Sequence, residues 1–347
     1  MKRLILGMVL LATAVAALAQ PVLRDDYPER YTVVRGDTLW DISNKFLQNP
    51  WMWPEIWQVN PQIDNPHLIF PGDVITLIYL DGRPRLTVER GDVVATPGAR
   101  SGDIKLSPRV HVTPLDEAVP SIPLDMIDSF LSESRIVGLA DLEGAPYVLA
   151  GGENRLLTGA GDRLYARGEF PDDIPVYGIY RRGQIYVDPD TNEVLGVEAK
   201  EIGSVRLRSV ERDIASTVVT RTNSEIRLAD RLLSQEERAI DSNFWPSPPK
   251  QDIEGKILAV EGGISKVGKF DVVVINRGQR EGMGVGNVLA VYKASGITRD
   301  PITNAVIRLP QERAGLMMIF RTFEKVSLGL VMEAEFPIST MDVVRNP

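Results

Sequence analysis

Few residues of this chain have side chains that could carry out bond-making chemistry. Its 347 residues include no cysteine and two histidines, His67 and His111, beside 47 acidic residues. Without cysteine there are no disulfides, no thiol nucleophile and no lipid-modified cysteine. A catalytic zinc site draws two or three histidine ligands and often a catalytic histidine as well, more than His67 and His111 can supply. A serine–histidine arrangement would rest on His111, in the run Ser107-Pro-Arg-Val-His-Val-Thr113, which alternates like a strand and has no nucleophile signature nearby. His67 reads as a satisfied loop histidine. Carboxylate pairs for glycan cleavage exist in any acidic chain, but residues 135–347 read as β runs such as Phe270-Asp-Val-Val-Val-Ile275 and Val288-Leu-Ala-Val-Tyr292. The expectation is a binding protein: no enzyme, no metal and no cofactor.

The candidates for binding are aromatic. Four of the five tryptophans fall between Trp40 and Trp57, three of them in the run Asn49-Pro-Trp-Met-Trp-Pro-Glu-Ile-Trp57. The elements around them define a small unit. Tyr31-Thr-Val-Val34 is a β-branched strand, Gly36-Asp37 a turn, and Thr38 a cap for a helix carrying Leu39, Ile42, Phe46 and Leu47 on one face. A second short helix begins near Pro54, carries Ile56 and Val59 inward and stops at Asn60-Pro61. Val74-Ile-Thr-Leu-Ile78 returns as a strand. A unit this small needs a dense aromatic core to stand alone.

These residues resemble a LysM domain, a module that binds N-acetylglucosamine-containing glycans. The resemblance rests on Tyr31-Thr32-Val33, Gly36-Asp37-Thr38-Leu39, Asn60, and Leu68-Ile69 with Pro71-Gly72 before the last strand. It implies a shallow groove, built largely from backbone groups, in which Gly36, Asp37, Thr38 and Leu39 face Pro61, Gln62, Ile63, Leu68, Ile69 and Phe70. A neutral acetamido sugar suits such a groove, because it offers an amide to hydrogen-bond and a methyl to bury. The chain departs from the usual pattern in the insertion from Leu47 to Pro54. Two readings of Trp51 and Trp53 stay open at this point, an enlarged core cover and an added platform for glycan or partner. Trp40 and Trp57, on the two helices, are expected in or near the core.

The rest of the chain reads as further small units. Residues 1–19 pair basic Lys2 and Arg3 with an apolar run and Ala17-Leu-Ala19, the pattern of a cleaved secretory signal, and no later stretch is long and apolar enough to span a membrane. Without Lys2 and Arg3, 37 basic residues face 47 acidic ones, a balance that disfavours nucleic acid. Residues 20–30 form a short linker, 31–78 the LysM unit, and 79–134 a linking region, expected to pack in part on that unit, with a strand-like run from 85 to 94 and a short helix over 124–132. Two β-rich modules follow, 135–233 and 253–347, joined by a proline-rich linker over 234–252. Sliding the chain by 112 residues aligns Tyr180 with Tyr292, Asp188-Pro189 with Asp300-Pro301, Thr191-Asn192 with Thr303-Asn304, Gly203 with Gly315 and Asp230 with Asp342. Asp-Pro-x-Thr-Asn is turn chemistry, which predicts a hairpin tip in each module. Phe244 and Trp245 are expected to pack against a module edge, with a role as partner anchors the alternative.

The expected fold class is therefore α+β and multidomain, a βααβ LysM unit followed by tandem β-rich modules arranged as separate beads. The signal, the LysM unit with its insertion, and the final module around Arg313-Ala-Gly-Leu-Met-Met-Ile-Phe-Arg-Thr322 together resemble the type IV pilus secretin-associated proteins. That resemblance implies a periplasmic protein that binds peptidoglycan and associates with an outer-membrane secretin. Alternatives are a cell-wall hydrolase accessory or activator, and a scaffold for another envelope machine.

Overall fold

The computed structural model describes residues 21–57, 69–89, 119–127, 130, 134–152, 159–171, 175–234, 244–260, 267–294 and 296–347. The expected signal peptide, both histidines, and the groove candidates Pro61, Gln62, Ile63 and Leu68 lie outside these residues.

The N-terminal unit runs β1 (Arg30–Thr32), α1 (Leu39–Phe46), a 3-10 turn over Pro50–Met52, α2 (Trp53–Trp57) and β2 (Val74–Leu80). β1 lies antiparallel to β2, with Tyr31 opposite Ile75. A third strand, β3 (Arg83–Glu89), pairs with β2 along its whole length, so part of the expected linking region belongs to this sheet. Its turn is Asp81-Gly82, both with positive φ (50° and 74°), the geometry that a two-residue hairpin demands. The helix expected over 124–132 begins as a 3-10 turn, Leu124–Met126.

Two rings of strands follow. The first comprises β4 (Ser134–Val137), α3 (Leu139–Gly144), β5 (Tyr147–Gly151), β6 (Arg163–Arg167), β7 (Val176–Val187), β8 (Val194–Glu211), β9 (Ile214–Thr222) and β10 (Arg231–Ser234). Its neighbour order β8-β7-β10-β5-β6-β9 returns from β9 to β8, with β4 added beside β8. The second comprises β11 (Glu254–Val260), β12 (Val272–Ile275), β13 (Val288–Tyr292), β14 (Ile297–Arg299), β15 (Val306–Arg308), β16 (Arg313–Thr322), β17 (Ser327–Ala334) and β18 (Val343–Arg345). It closes as β11-β12-β17-β16-β13-β18, while β14 and β15 form a separate ribbon. The two circuits are the same walk with β5 exchanged for β11, β6 for β12, β9 for β17, β8 for β16, β7 for β13 and β10 for β18. The residues from 224 to 233, which alone could pass for a helix, end in β10, as the repeat with β18 requires.

The hairpin tips match atom for atom. The Asp188 carboxylate accepts from the Asp190 and Thr191 N–H groups, at 2.8 and 3.1 Å, and Asn192 takes φ 59°. The Asp300 carboxylate accepts from Ile302 and Thr303, at 2.8 and 3.3 Å, and Asn304 takes φ 57°. Their surroundings differ. Asp188 reaches the second barrel, where Asn276 Nδ2 donates to it at 2.9 Å, whereas Ile302 stands 92% exposed.

The units are not separate beads. Along β12, alternate residues divide between two cores: Val273 and Ile275 fill the inside of the second barrel, while Val272 and Val274 face outward. β13, β16 and β17 divide in the same way, so the outer face is as apolar as the inner and must be covered. Its cover is Trp40 of the N-terminal unit, Ile122 and Ile127 of the linking region, Ile136, Tyr186 and Leu195 of the first ring, and Phe244. The second barrel is thus the hub against which the other units pack.

Candidate functional site

The groove is built from two turns tied to each other. In the first, Gly36 has φ 95°, a conformation that side chains disfavour. The Asp37 carboxylate closes this turn by accepting from the Val34 N–H and the Tyr31 hydroxyl, both at 2.9 Å. Burial, then this hydrogen bond, pushes the Tyr31 phenol up to about 12. Thr38 caps α1 as expected: its hydroxyl accepts from the Asp41 N–H at 3.1 Å and donates to the Asp41 carboxylate at 2.7 Å. In the second turn, Gly72 has φ 97° and the Asp73 carboxylate accepts from the Phe70 N–H at 3.0 Å. The Val33 N–H donates to Asp73 O at 2.9 Å and the Gly72 N–H to Val33 O at 2.8 Å, which fixes the spacing of the two turns.

Between the turns run residues 119–121. The first N–H groups of a helix have no partner within it, and here those of Leu39 and Trp40 donate to Pro120 O at 2.9 Å and Ser121 O at 3.3 Å. Across the groove, the Val119 N–H donates to Ile69 O at 2.8 Å. Leu39 and Ile69 are both fully buried, Val119 and Ser121 nearly so. Of the ten groove candidates, Leu39 and Ile69 are each hydrogen-bonded to this strap. That the linking region packs in part on this unit is expected from the sequence, but its place between Leu39 and Ile69 is not. Pro120 and Pro123 signal an extended segment, yet nothing local tells what it lies against.

The four clustered tryptophans are buried or half-buried. Trp40 and Trp57 are buried, at 1% and 5% exposure. Trp53 is completely buried and offers no free stacking face, so the platform reading of the insertion does not hold for it; one ring face lies against Trp245, centroids 5.1 Å apart. Trp51 is half-buried and packs against both the groove unit's core and the outer core of the second barrel.

Comparison with known families decides the unit's kinship. Residues 31–77 match the family model described as LysM domain. The chain carries a LysM domain. LysM domains generally bind peptidoglycan and are binding modules, not catalysts. A 60-residue stretch is also 40% identical to the uncharacterized protein YqbP of Bacillus subtilis (strain 168); the match covers 14% of this chain and 27% of YqbP. The chain therefore spans about a quarter of that relative's length. Among the described residues, no group of three or more potential metal ligands occurs and no helix is long and apolar enough to cross a membrane.

Proposed function

We propose that this protein is a non-catalytic periplasmic anchor that holds peptidoglycan through its LysM domain and an outer-membrane secretin of a type IV pilus through its tandem β modules. The observation that carries the reading is the LysM match over residues 31–77. In the groove turns the Asp37 and Asp73 carboxylates are engaged by donors of the turns themselves, Tyr31, Val34 and Phe70, and a groove lined largely by backbone suits a neutral acetamido sugar. Gly36 to Leu39, Pro61 to Ile63 and Leu68 to Phe70 are the contacts proposed.

The packing of Trp40 on the outer face of the second barrel supports the anchoring half. A domain that only recruited the protein to the wall could hang on a flexible tether. A domain buried into the barrel's outer core passes load directly from glycan to barrel. The secretin half rests on the likeness of the final module to the secretin-associated proteins. Two measurements test the reading. The full chain without its signal should sediment with isolated sacculi, and failure to do so would remove the wall half. Secretin should co-purify with the tagged full chain from envelopes, and its absence would remove the pilus half. Release of soluble muropeptides by a partner hydrolase only when the chain is added would instead favour the hydrolase-activator reading.

A further inference from the structure

We propose that Val119 and Pro120 are an internal stand-in for the sugar's acetamido group, so that the groove is closed at rest and glycan must displace them to enter. The inference rests on the groove's assignment to glycan.

The strap supplies the chemistry that an acetamido sugar would supply. Val119 provides an N–H to the Ile69 carbonyl, and Pro120 provides a carbonyl to the Leu39 N–H. The Val119 side chain joins the core formed with Val33, Leu39 and Ile69, where an acetamide methyl would be buried. Val119 and Pro120 thus hold one donor, one acceptor and one small apolar group between the two turns that flank the groove, while the Ser121 carbonyl accepts from the Trp40 N–H beside them. A sugar and the strap cannot both satisfy the Leu39 N–H and the Ile69 carbonyl, so their occupancies exclude each other.

The strap is tethered on its C-terminal side. Ile122 and Ile127 sit in the outer core of the second barrel beside Trp40. Val119 and Pro120 can therefore lift from the groove while Ser121, bonded to the Trp40 N–H, and the chain after it stay docked, and the competing group remains close by for re-entry. Its high effective concentration makes the resting groove mostly filled, and apparent glycan affinity falls by the fraction of molecules with the groove open.

The test uses the full chain and chitotetraose as probe. In the wild-type protein, hydrogen exchange should show the Val119 amide protected at rest and losing protection on saturation with the oligosaccharide, while the Leu39 amide stays protected because the sugar replaces Pro120. The variant Val119→Asp should expel the strap and bind chitotetraose and sacculi more tightly, on the order of tenfold or more. A Val119 amide that stays protected in the saturated complex overturns the proposal, as does a folded Val119→Asp protein that binds no tighter than wild type. If neither protein binds oligosaccharide or sacculi, the glycan assignment itself fails and the strap proposal falls with it. The exchange measurement needs no variant, so a misfolded Val119→Asp protein leaves the question answerable.

Discussion

Trp53 and Trp245 lie with ring centroids 5.1 Å apart and planes inclined by 33°, joining the LysM insertion to the linker between the two barrels. The two residues share this contact unequally. Trp53 is fully buried within the LysM core, whereas Trp245 keeps 47% of its surface in solvent. The insertion is therefore a structural joint: it enlarges a small core and offers the linker a flat apolar landing.

Replacing Trp53 by alanine should cost roughly 3–5 kcal/mol of LysM stability, the usual range for an aromatic removed from a packed core. Trp245→Ala should cost about 1 kcal/mol, the scale of an aromatic pair with one member half-exposed. Urea denaturation followed by tryptophan fluorescence would read both. Equal losses would contradict the asymmetry of burial.

The twin hairpin tips supply an internal control. Burial opposes ionisation of the Asp188 carboxyl, but hydrogen bonds from Asp190, Asn276 and Thr191, with Arg277 nearby, outweigh it and hold its pKa below the usual carboxylate range. Asp188→Ala removes the turn's acceptor and strands the Asn276 amide in a buried contact, at a cost of about 1–3 kcal/mol. Asp300→Ala removes the same turn bonds in solvent, where water replaces them, and should cost about 0.5 kcal/mol or less, as for ordinary surface changes. Thermal unfolding of the two variants side by side would decide whether docking or the turn itself matters.

These features also mark what the sequence made legible. Gly36, Asp37, Thr38 and Gly72 act through turns and caps a few residues long, so their chemistry could be read locally. The barrel repeat was legible because both copies keep the same turn atoms at Asp188 and Asp300. The strap was not, because the partners of Val119 and Pro120 are backbone groups of Ile69 and Leu39, and a backbone partner leaves no trace in side-chain pattern. Docking of the units was half legible. The apolar runs in β12, β13 and β16 announce strands buried on both faces, but not that Trp40 and Ile122 provide the cover. Trp53 shows the same limit, since tryptophan in so small a unit implies burial without naming its neighbour.

The contact between the first hairpin and the second barrel should weaken in acid. Hydrogen bonds to Arg280, then Lys325, hold the Glu193 carboxyl down at about 2, from a usual 4.5. A depressed carboxyl contributes stability that is complete above its unfolded pKa and lost as pH falls through its folded one. The window is therefore about pH 4.5 down to 2. Glu193→Gln should flatten the pH dependence of unfolding within that window and change it little near neutrality relative to its own baseline. Because Glu193, Arg280 and Lys325 are all partly exposed, added salt should blunt the effect in wild type. A pH profile of the variant that parallels wild type through this range would show that Glu193 does not couple the units.

Gly203 and Gly315, aligned by the repeat, are explained by strand spacing rather than by turns. Gly315 lies in β16 with Val291 of β13 on one side and Ala334 of β17 on the other. A Cβ there would overlap the Glu333 carbonyl oxygen, and one on Gly203 would overlap that of Arg221. In both barrels an irregular register sits beside the glycine, between Leu316 and Met317 in one and between Ser204 and Val205 in the other. Such a bulge brings neighbouring backbones too close for any side chain. The obstacle is backbone in each case, so no rotamer change can relieve it. Gly315→Ala and Gly203→Ala should each destabilise their barrel by about 1–3 kcal/mol, the range for overpacking, measured by chemical denaturation. Gly268→Ala, where an added Cβ meets nothing within 4 Å, is the matched control and should be close to neutral. If the three variants unfold alike, the glycines are there for another reason than the approach of the strands.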